Sequence, residues 1–240
     1  MRLFSRKGKN ELTGVCSVVV VAAGSSTRMG SDKILINLAG VPAIIHSLRT
    51  FENMPEVGEI VVVTREDLIP SIAALCRDHR ITKVTNVIRG GNSRVESSRL
   101  GTLAVSRETR LIAIHDGARP LVPEDVVRVA IVRAMETGAA APAIPLKDTV
   151  KAVNNGLVES TLDRSTLRAV QTPQVFDSAL IRAALQSALD DRADITDDCS
   201  AVERMGMKVS LTEGSERNFK LTTPTDLLLA ECFLQEGRAR

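Results

Sequence analysis

An α/β fold built on a doubly wound, mostly parallel sheet is what the sequence predicts, and three observations carry the prediction. Unbroken runs such as "VVVV" at 18–21 and "IVVV" at 60–63 suit strands covered on both faces. Segments of helical period alternate with those runs, as right-handed crossovers between parallel strands require. A length of 240 residues suits one large domain better than two.

Each element follows from its own pattern. "SVVVVA" is the first strand, and "VPAIIHSLRTF" is a helix with Pro42 at its start. "EIVVVT", "KVTNVI", "RLIAIHD" and "GAAAPAIP" read as further strands. The helices "PSIAALCRDH", "SRVESSRLGTLAVS" and "PEDVVRVAIVRAME" fall between them. The alternation breaks at "TVKAV" and "LVEST", where Asn154-Asn155-Gly156 marks a hairpin with no crossover helix to cover it. The pattern alone leaves two readings open: an arm on another subunit, or a hairpin packed on its own domain. The series resumes with "LRAVQT", the helix "DSALIRAALQSALDD", a helix around "DDCSAVERMG" and the strand "KVSLT". A last helix begins at Pro224 with Thr223 as its cap. Residues 1–14 read as a flexible tail and 15–240 as the single domain.

Several classes of function are excluded. A net charge of +2 and the absence of Trp and Tyr argue against a nucleic-acid partner. Val18–Ala23 is too short for a signal segment or a membrane span. Cys16, Cys76, Cys199 and Cys232 form no CxxC pair, so reduced thiols in a cytoplasmic protein are expected. "AAGSSTRMGSDK" is neither common phosphate loop. Gly30 is followed by Ser31 instead of Lys-Ser/Thr, and Ser26 stands where the dinucleotide fingerprint needs its second glycine.

Ligands of an open parallel sheet bind beyond the carboxyl ends of its strands. The polar residues after the apolar runs are Gly24, Arg28 and Lys33; Gly90, Gly91 and Ser97; Asp116 and Arg119; and Lys220, placed at the end of a late strand. Cations from several loops, with glycines that admit backbone N–H groups to an anion, favour a polyphosphate site. His115 is as compatible with a satisfied core imidazole as with a functional one. The sequence lacks an acyl-transfer triad and a paired carboxylate set for glycoside hydrolysis. Nucleotidyl transfer suits it better, because positioning and charge neutralisation supply nearly all of that catalysis.

Seven segments in order, "VVVVAAGSSTRMGSDK", "GGNSRVESS", "IHDGARP", "LKDTV", "TLDRSTLRAVQTPQ", "ITDDCSAVERMG" and "NFKLTTPTDL", resemble the 2-C-methyl-D-erythritol 4-phosphate cytidylyltransferase family. The resemblance covers about residues 15 to 236. It implies a nucleotide-diphospho-sugar transferase-like, Rossmann-like fold and cytidylyl transfer from CTP to the methylerythritol phosphate of isoprenoid biosynthesis. Ala22, Ala23, Gly24, Gly91, Ser97, Gly117 and Arg119 are implied nucleotide contacts. Arg28 and Lys33 would stabilise charge on the triphosphate, and Lys220 and Arg164 are also implied catalytic groups. Asp116, Arg119, Thr149, Arg164, Thr196 and Lys220 would bind the second substrate. Thr149 and Arg164 reach a partner's site in the family, so the hairpin at about 147–165 becomes a dimerisation arm and the active sites of the homodimer are shared. Magnesium carried mainly by the CTP phosphates is implied, with no dedicated protein ligands.

There are three departures from the family pattern. Val21 stands where many members have proline, and Gly117 replaces the usual alanine after Asp116. Lys33 lies between Asp32 and Ile34, whereas the common pattern is Pro-Lys-Gln. "SDKILINLAG" is closer to a molybdopterin nucleotidyltransferase loop, but such an enzyme has no reason to carry the DR…QTPQ and NFKLTTP segments. The alternatives are ribitol-5-phosphate cytidylyltransferase, with the same reaction and another polyol phosphate, and a catalytically silent nucleotide-binding module.

Overall fold

The computed structural model describes residues 12–24 and 32–238. β1 (Cys16–Ala22) runs parallel to β4 (Val57–Thr64) on one side and to β6 (Leu111–Asp116) on the other. β5 (Val84–Arg89) extends the sheet beyond β4, again in parallel. The sheet order is β10 (Arg168–Val170), β7 (Ala139–Pro145), β11 (Gln174–Asp177), β6, β1, β4 and β5, with β12 (Ser210–Glu213) pairing in parallel with β7. The reversal of strand order beside β1 makes this a doubly wound sheet, as the sequence predicts.

Alternation along each strand explains why valine runs form it. Val18 and Val20 of β1 join Ile60 and Val62 of β4 in the core on one face. Val19 of β1 joins Val61 and Val63 of β4 on the other. A strand buried on both faces has no polar position to offer, so its residues read as one apolar run. The first face is covered by α1 (Ala43–Asn53), α2 (Ile69–Asp78) and α4 (Glu124–Thr137). The second is covered by α3 (Arg94–Ala104), α5 (Ser178–Asp190) and α6 (Asp198–Arg204).

Two antiparallel strands enter this parallel frame. β10 (Arg168–Val170) was expected, but β11 (Gln174–Asp177) was not. β11 fills the slot between β6 and β7 and is antiparallel to both. Its four residues are too few for a periodic signal, and the preceding Pro173 punctuates the sequence like a turn. A further departure is the short pairing of β2 (Asn37–Leu38) with β3 (Val41–Pro42) ahead of α1.

The end caps agree with the sequence. α7 (Pro224–Arg238) starts at Pro224, and Thr223 Oγ1 accepts the amide of Asp226. Asp226 accepts the amides of Thr222 and Thr223 in return, so donors at this terminus are satisfied reciprocally. The expected hairpin forms from β8 (Lys151–Asn154) and β9 (Leu157–Thr161), a separate two-stranded unit turning at Asn155 and Gly156. Of the expected tail, residues 1–11 lie outside the described residues, whereas the amide of Gly14 donates to Pro55 O at 2.9 Å.

Candidate active site

A cleft of about 440 Å³ opens over the carboxyl ends of β1, β5 and β6. Chain leaving β1 returns through β4 and β5 on one side of the sheet, while β6 lies on the other. The loops beyond β1 and β6 therefore diverge and leave a crevice. Ala22, Ala23 and Gly24 form one wall, the loop from Gly91 to Ser97 a second, and Asp116 with Ala118 a third; Lys33 and Lys220 reach in as cations.

Small residues are required where the β1 and β5 loops touch. A Cβ at Gly90 would stand 2.6 Å from the Ala23 Cβ and 2.9 Å from Ser97 Oγ. Ser97 is buried, accepts the Gly91 amide at 3.1 Å and donates to Ser93 O at 2.8 Å. Its hydroxyl thus holds the shape of the Gly91 loop. The same loop is secured at its helix end, where the Ser93 hydroxyl accepts the Glu96 amide and caps α3.

A network of charges converges on Asp116. One carboxylate oxygen accepts from Arg94, and the other pairs with Lys220 Nζ at 2.9 Å. Arg119 Nε lies 3.8 Å away, an ion pair without a hydrogen bond. Arg94 also donates to Asp198 Oδ2 at 2.7 Å. Burial alone would raise the Asp116 pKa, but Arg94 and Lys220 outweigh it and hold the carboxyl well below the usual range. Burial pulls the Arg94 guanidinium down, and the two carboxylates more than reverse this. Asp198 is raised by its burial, with Arg94 opposing. Two carboxylates face three cations here, and Lys33 is a fourth on the cleft wall, so an anion entering it meets a positive field.

The polar scaffold behind Asp116 accounts for the motifs around it. His115 is fully buried, and Nε2 lies 3.1 Å from Arg119 O, which can only accept. Nε2 therefore carries the proton, Nδ1 accepts from Thr172 Oγ1 at 3.1 Å, and that oxygen accepts the Asp116 amide at 3.0 Å. Burial pushes the imidazole down to about 4, so it is neutral and structural. Asn218 Nδ2 donates to Thr172 O at 2.7 Å, and Arg119 donates to Asn218 O. Gln174 takes the Cys199 amide and gives a hydrogen bond to Asp197, which ties β11 to the start of α6. The "QTPQ" and "NFK" segments thus hold Asp116 and Lys220 in register.

The structure brings together Ala22, Ala23, Gly24, Lys33, Gly91, Ser97, Asp116 and Lys220 on the cleft. Arg28 lies outside the described residues. Gly117 is buried behind the wall, its amide bonded to Val21 O, and a Cβ there would stand 3.1 Å from that of Ala22. Ala118 occupies the lining position instead. Arg119 supports Asp116 from behind. Lys220 does not end a strand: β12 stops at Glu213, and Lys220 is placed by the loop that follows, next to Leu221, whose amide bonds Ala118 O. Thr149 and Arg164 are exposed on or beside the hairpin, with Arg164 donating to Lys147 O. Thr196 is exposed and lines a neighbouring groove with Arg168. Arg94 and Asp198 are functional candidates that the sequence reading did not single out. Both lie in quoted motifs, but only the fold reveals that they meet.

The comparisons with known proteins agree. The family model IspD, 2-C-methyl-D-erythritol 4-phosphate cytidylyltransferase, matches residues 16–236. A protein of that name from Rubrobacter xylanophilus is 44% identical over 226 residues, covering 92% of this chain and 96% of its own. Another from Halalkalibacterium halodurans is 42% identical, covering 93% and 99%. The crystal structure of 4-diphosphocytidyl-2C-methyl-D-erythritol synthase from Anaerococcus prevotii superposes with a TM-score of 0.81 at 29% identity, covering 92% and 96%. The chain, a nucleotidyltransferase, belongs to the 2-C-methyl-D-erythritol 4-phosphate cytidylyltransferase family.

Proposed function

We propose how the cleft performs the family's reaction, CTP-dependent cytidylyl transfer to 2-C-methyl-D-erythritol 4-phosphate in isoprenoid biosynthesis. A phosphate oxygen of the acceptor attacks the α-phosphorus of CTP, a new P–O bond forms, and the bond to pyrophosphate breaks. The acceptor phosphate has a second pKa of about 6 and is largely ionised near neutral pH. It needs no general base, which accords with a neutral, buried His115.

The carrying observation is the ionised Asp116, held among Lys220, Arg94 and Arg119 beside Lys33 at the sheet's switch point. Held far below neutrality, Asp116 is a pure acceptor for the polyol hydroxyls. Lys33, with Arg28, stabilises charge on the triphosphate as it develops, while Ala22–Gly24 and the Gly91 loop form a slot for cytidine. Lys220 places its ammonium between Asp116 and the incoming phosphate. Both Asp116 oxygens already face cations, so this carboxylate is not free to take a metal ion as well. Magnesium therefore fits this site as an ion carried by the CTP phosphates, where it supplies charge neutralisation. Thr149 and Arg164 serve a partner's site in a homodimer with shared active sites, and Thr196 serves the second substrate together with Asp116 and Lys220. The buried, unpaired Cys16 and Cys76 thiols, pushed up by burial to about 12 and about 11, are compatible with a cytoplasmic enzyme. No helix among the described residues is long and apolar enough to cross a membrane.

Pyrophosphate release from CTP tests this. Rapid release with methylerythritol phosphate, and little with ribitol phosphate or with ATP or GTP as donor, is the expected result. Equal release with ribitol phosphate would reassign the acceptor.

A further inference from the structure

Lys33 is bracketed by two anchors. On its carboxyl side Ile34 is buried in the core, and its carbonyl accepts the amide of Ile44 at 2.9 Å. On its amino side the Asp32 carboxylate receives both Nη groups of Arg65, at 2.6 and 2.7 Å. A two-bond guanidinium–carboxylate fork fixes direction as well as distance. Arg65 is itself aligned by Asp67, which accepts from its Nε at 3.2 Å and from Nη2 at 3.1 Å. Its backbone follows Thr64, the last residue of β4, which is paired with Ala22 of β1 and donates to Ala22 O. The fork thus runs from the rigid sheet edge to the residue just before the cleft lysine.

We propose that the Arg65–Asp32 ion pair is a positioning clamp that sets where the Lys33 ammonium meets the triphosphate. The inference rests on the reading of Lys33 given above. At this position the family pattern has proline, whose ring fixes φ; here an ion pair from a neighbouring strand's loop restrains the chain instead. Both side chains keep a little under a third of their surface exposed, so the pair is expected to add little to global stability. The hydrogen bonds from Arg65 hold Asp32 below the usual carboxylate range, so the clamp stays charged throughout any neutral assay. Arg65 is a positioning residue: it acts through Lys33.

The test is a double-mutant cycle on kcat and on KM for CTP. Misplacing a group that acts mainly in the transition state lowers kcat more than it changes substrate binding. Arg65→Ala is expected to lower kcat about tenfold with KM within about twofold, and Arg65→Lys, which keeps the charge but loses the fork, about threefold. Asp32→Asn, nearly isosteric, supplies a second break of the clamp with an unchanged thermal midpoint. Lys33→Ala alone should cost roughly 10²–10³ in kcat. In the Lys33→Ala background, Arg65→Ala should cost nothing further. An undiminished tenfold loss in that background overturns the clamp, as does full kcat in both Arg65→Ala and Asp32→Asn. Near wild-type kcat for Lys33→Ala overturns the reading of Lys33 itself, and the clamp with it.

Discussion

The cleft and the hairpin arm are both built from short polar segments around strands, yet they are held in opposite ways. Behind the cleft, the polar brace of Asp116 is buried: His115 and Asn218 are fully buried, and Thr172 nearly so. On the arm, Leu157, Val158 and Val153 expose 74%, 60% and 58% of their surface. The arm's two strands pair only with each other. An isolated two-stranded hairpin is marginal in water. The cleft scaffold is therefore complete within one chain, whereas the arm has apolar surface that its own chain does not cover. A catalytic site that needs fixed charges grows from the first kind of structure, and a surface for another molecule from the second.

The largest effect that would break this contrast lies at Arg94. Arg94→Met should destabilise the protein by about 3 kcal/mol, the low end for breaking a buried pair, since 28% of the guanidinium side chain stays exposed. Urea unfolding at unchanged slope measures it. A change below about 0.5 kcal/mol, the scale of surface substitutions, would place the cleft in the same class as the arm.

Next comes the pH dependence of the scaffold. The unfolded chain binds a proton at His115 more readily than the fold does, so stability is complete above pH 6.5 and falls as pH drops towards about 4. Between pH 7 and pH 5 the loss should be about 2 kcal/mol, and His115→Gln should abolish that slope. Asp116 has the opposite chemistry but the same sign: its pairing is retained above the ordinary carboxylate range and is lost only in strong acid. A wild-type slope that survives in His115→Gln would remove the imidazole from the account.

The smallest effect on the folded chain belongs to the arm. Val153→Ser with Val158→Ser should change unfolding stability of the isolated subunit by less than about 0.5 kcal/mol, while weakening self-association in sedimentation. Mixing an Arg164→Ala chain with a Lys220→Ala chain sharpens the point. With shared sites, each heterodimer holds one doubly damaged site and one intact site, so activity returns to as much as about half per heterodimer. Subunits that exchange without any return of activity would confine Arg164 to its own chain.

Most of the frame and part of the site were open to reading along the chain. Val18–Val21 and Ile60–Val63 announce doubly covered strands because burial on both faces acts residue by residue, and residues just past such strands must lie at the sheet's ligand edge. That reasoning places Gly24, Lys33, Gly91 and Asp116 on the cleft without any coordinates. By itself, then, the sequence determined the doubly wound frame, the hairpin and the cationic character of one sheet edge, since each depends on local period or on nearness to a strand end. Tertiary structure alone decided that β11 slots antiparallel between β6 and β7, that Arg94 joins Asp116 to Asp198 across 104 positions of chain, and that His115 is a neutral brace. It likewise decided that Arg65 clamps the residue before Lys33. These are contacts between segments whose own patterns are indifferent to them: a charged or polar side chain carries no periodic signal of its partner, and only the packed sheet brings the two within hydrogen-bonding distance.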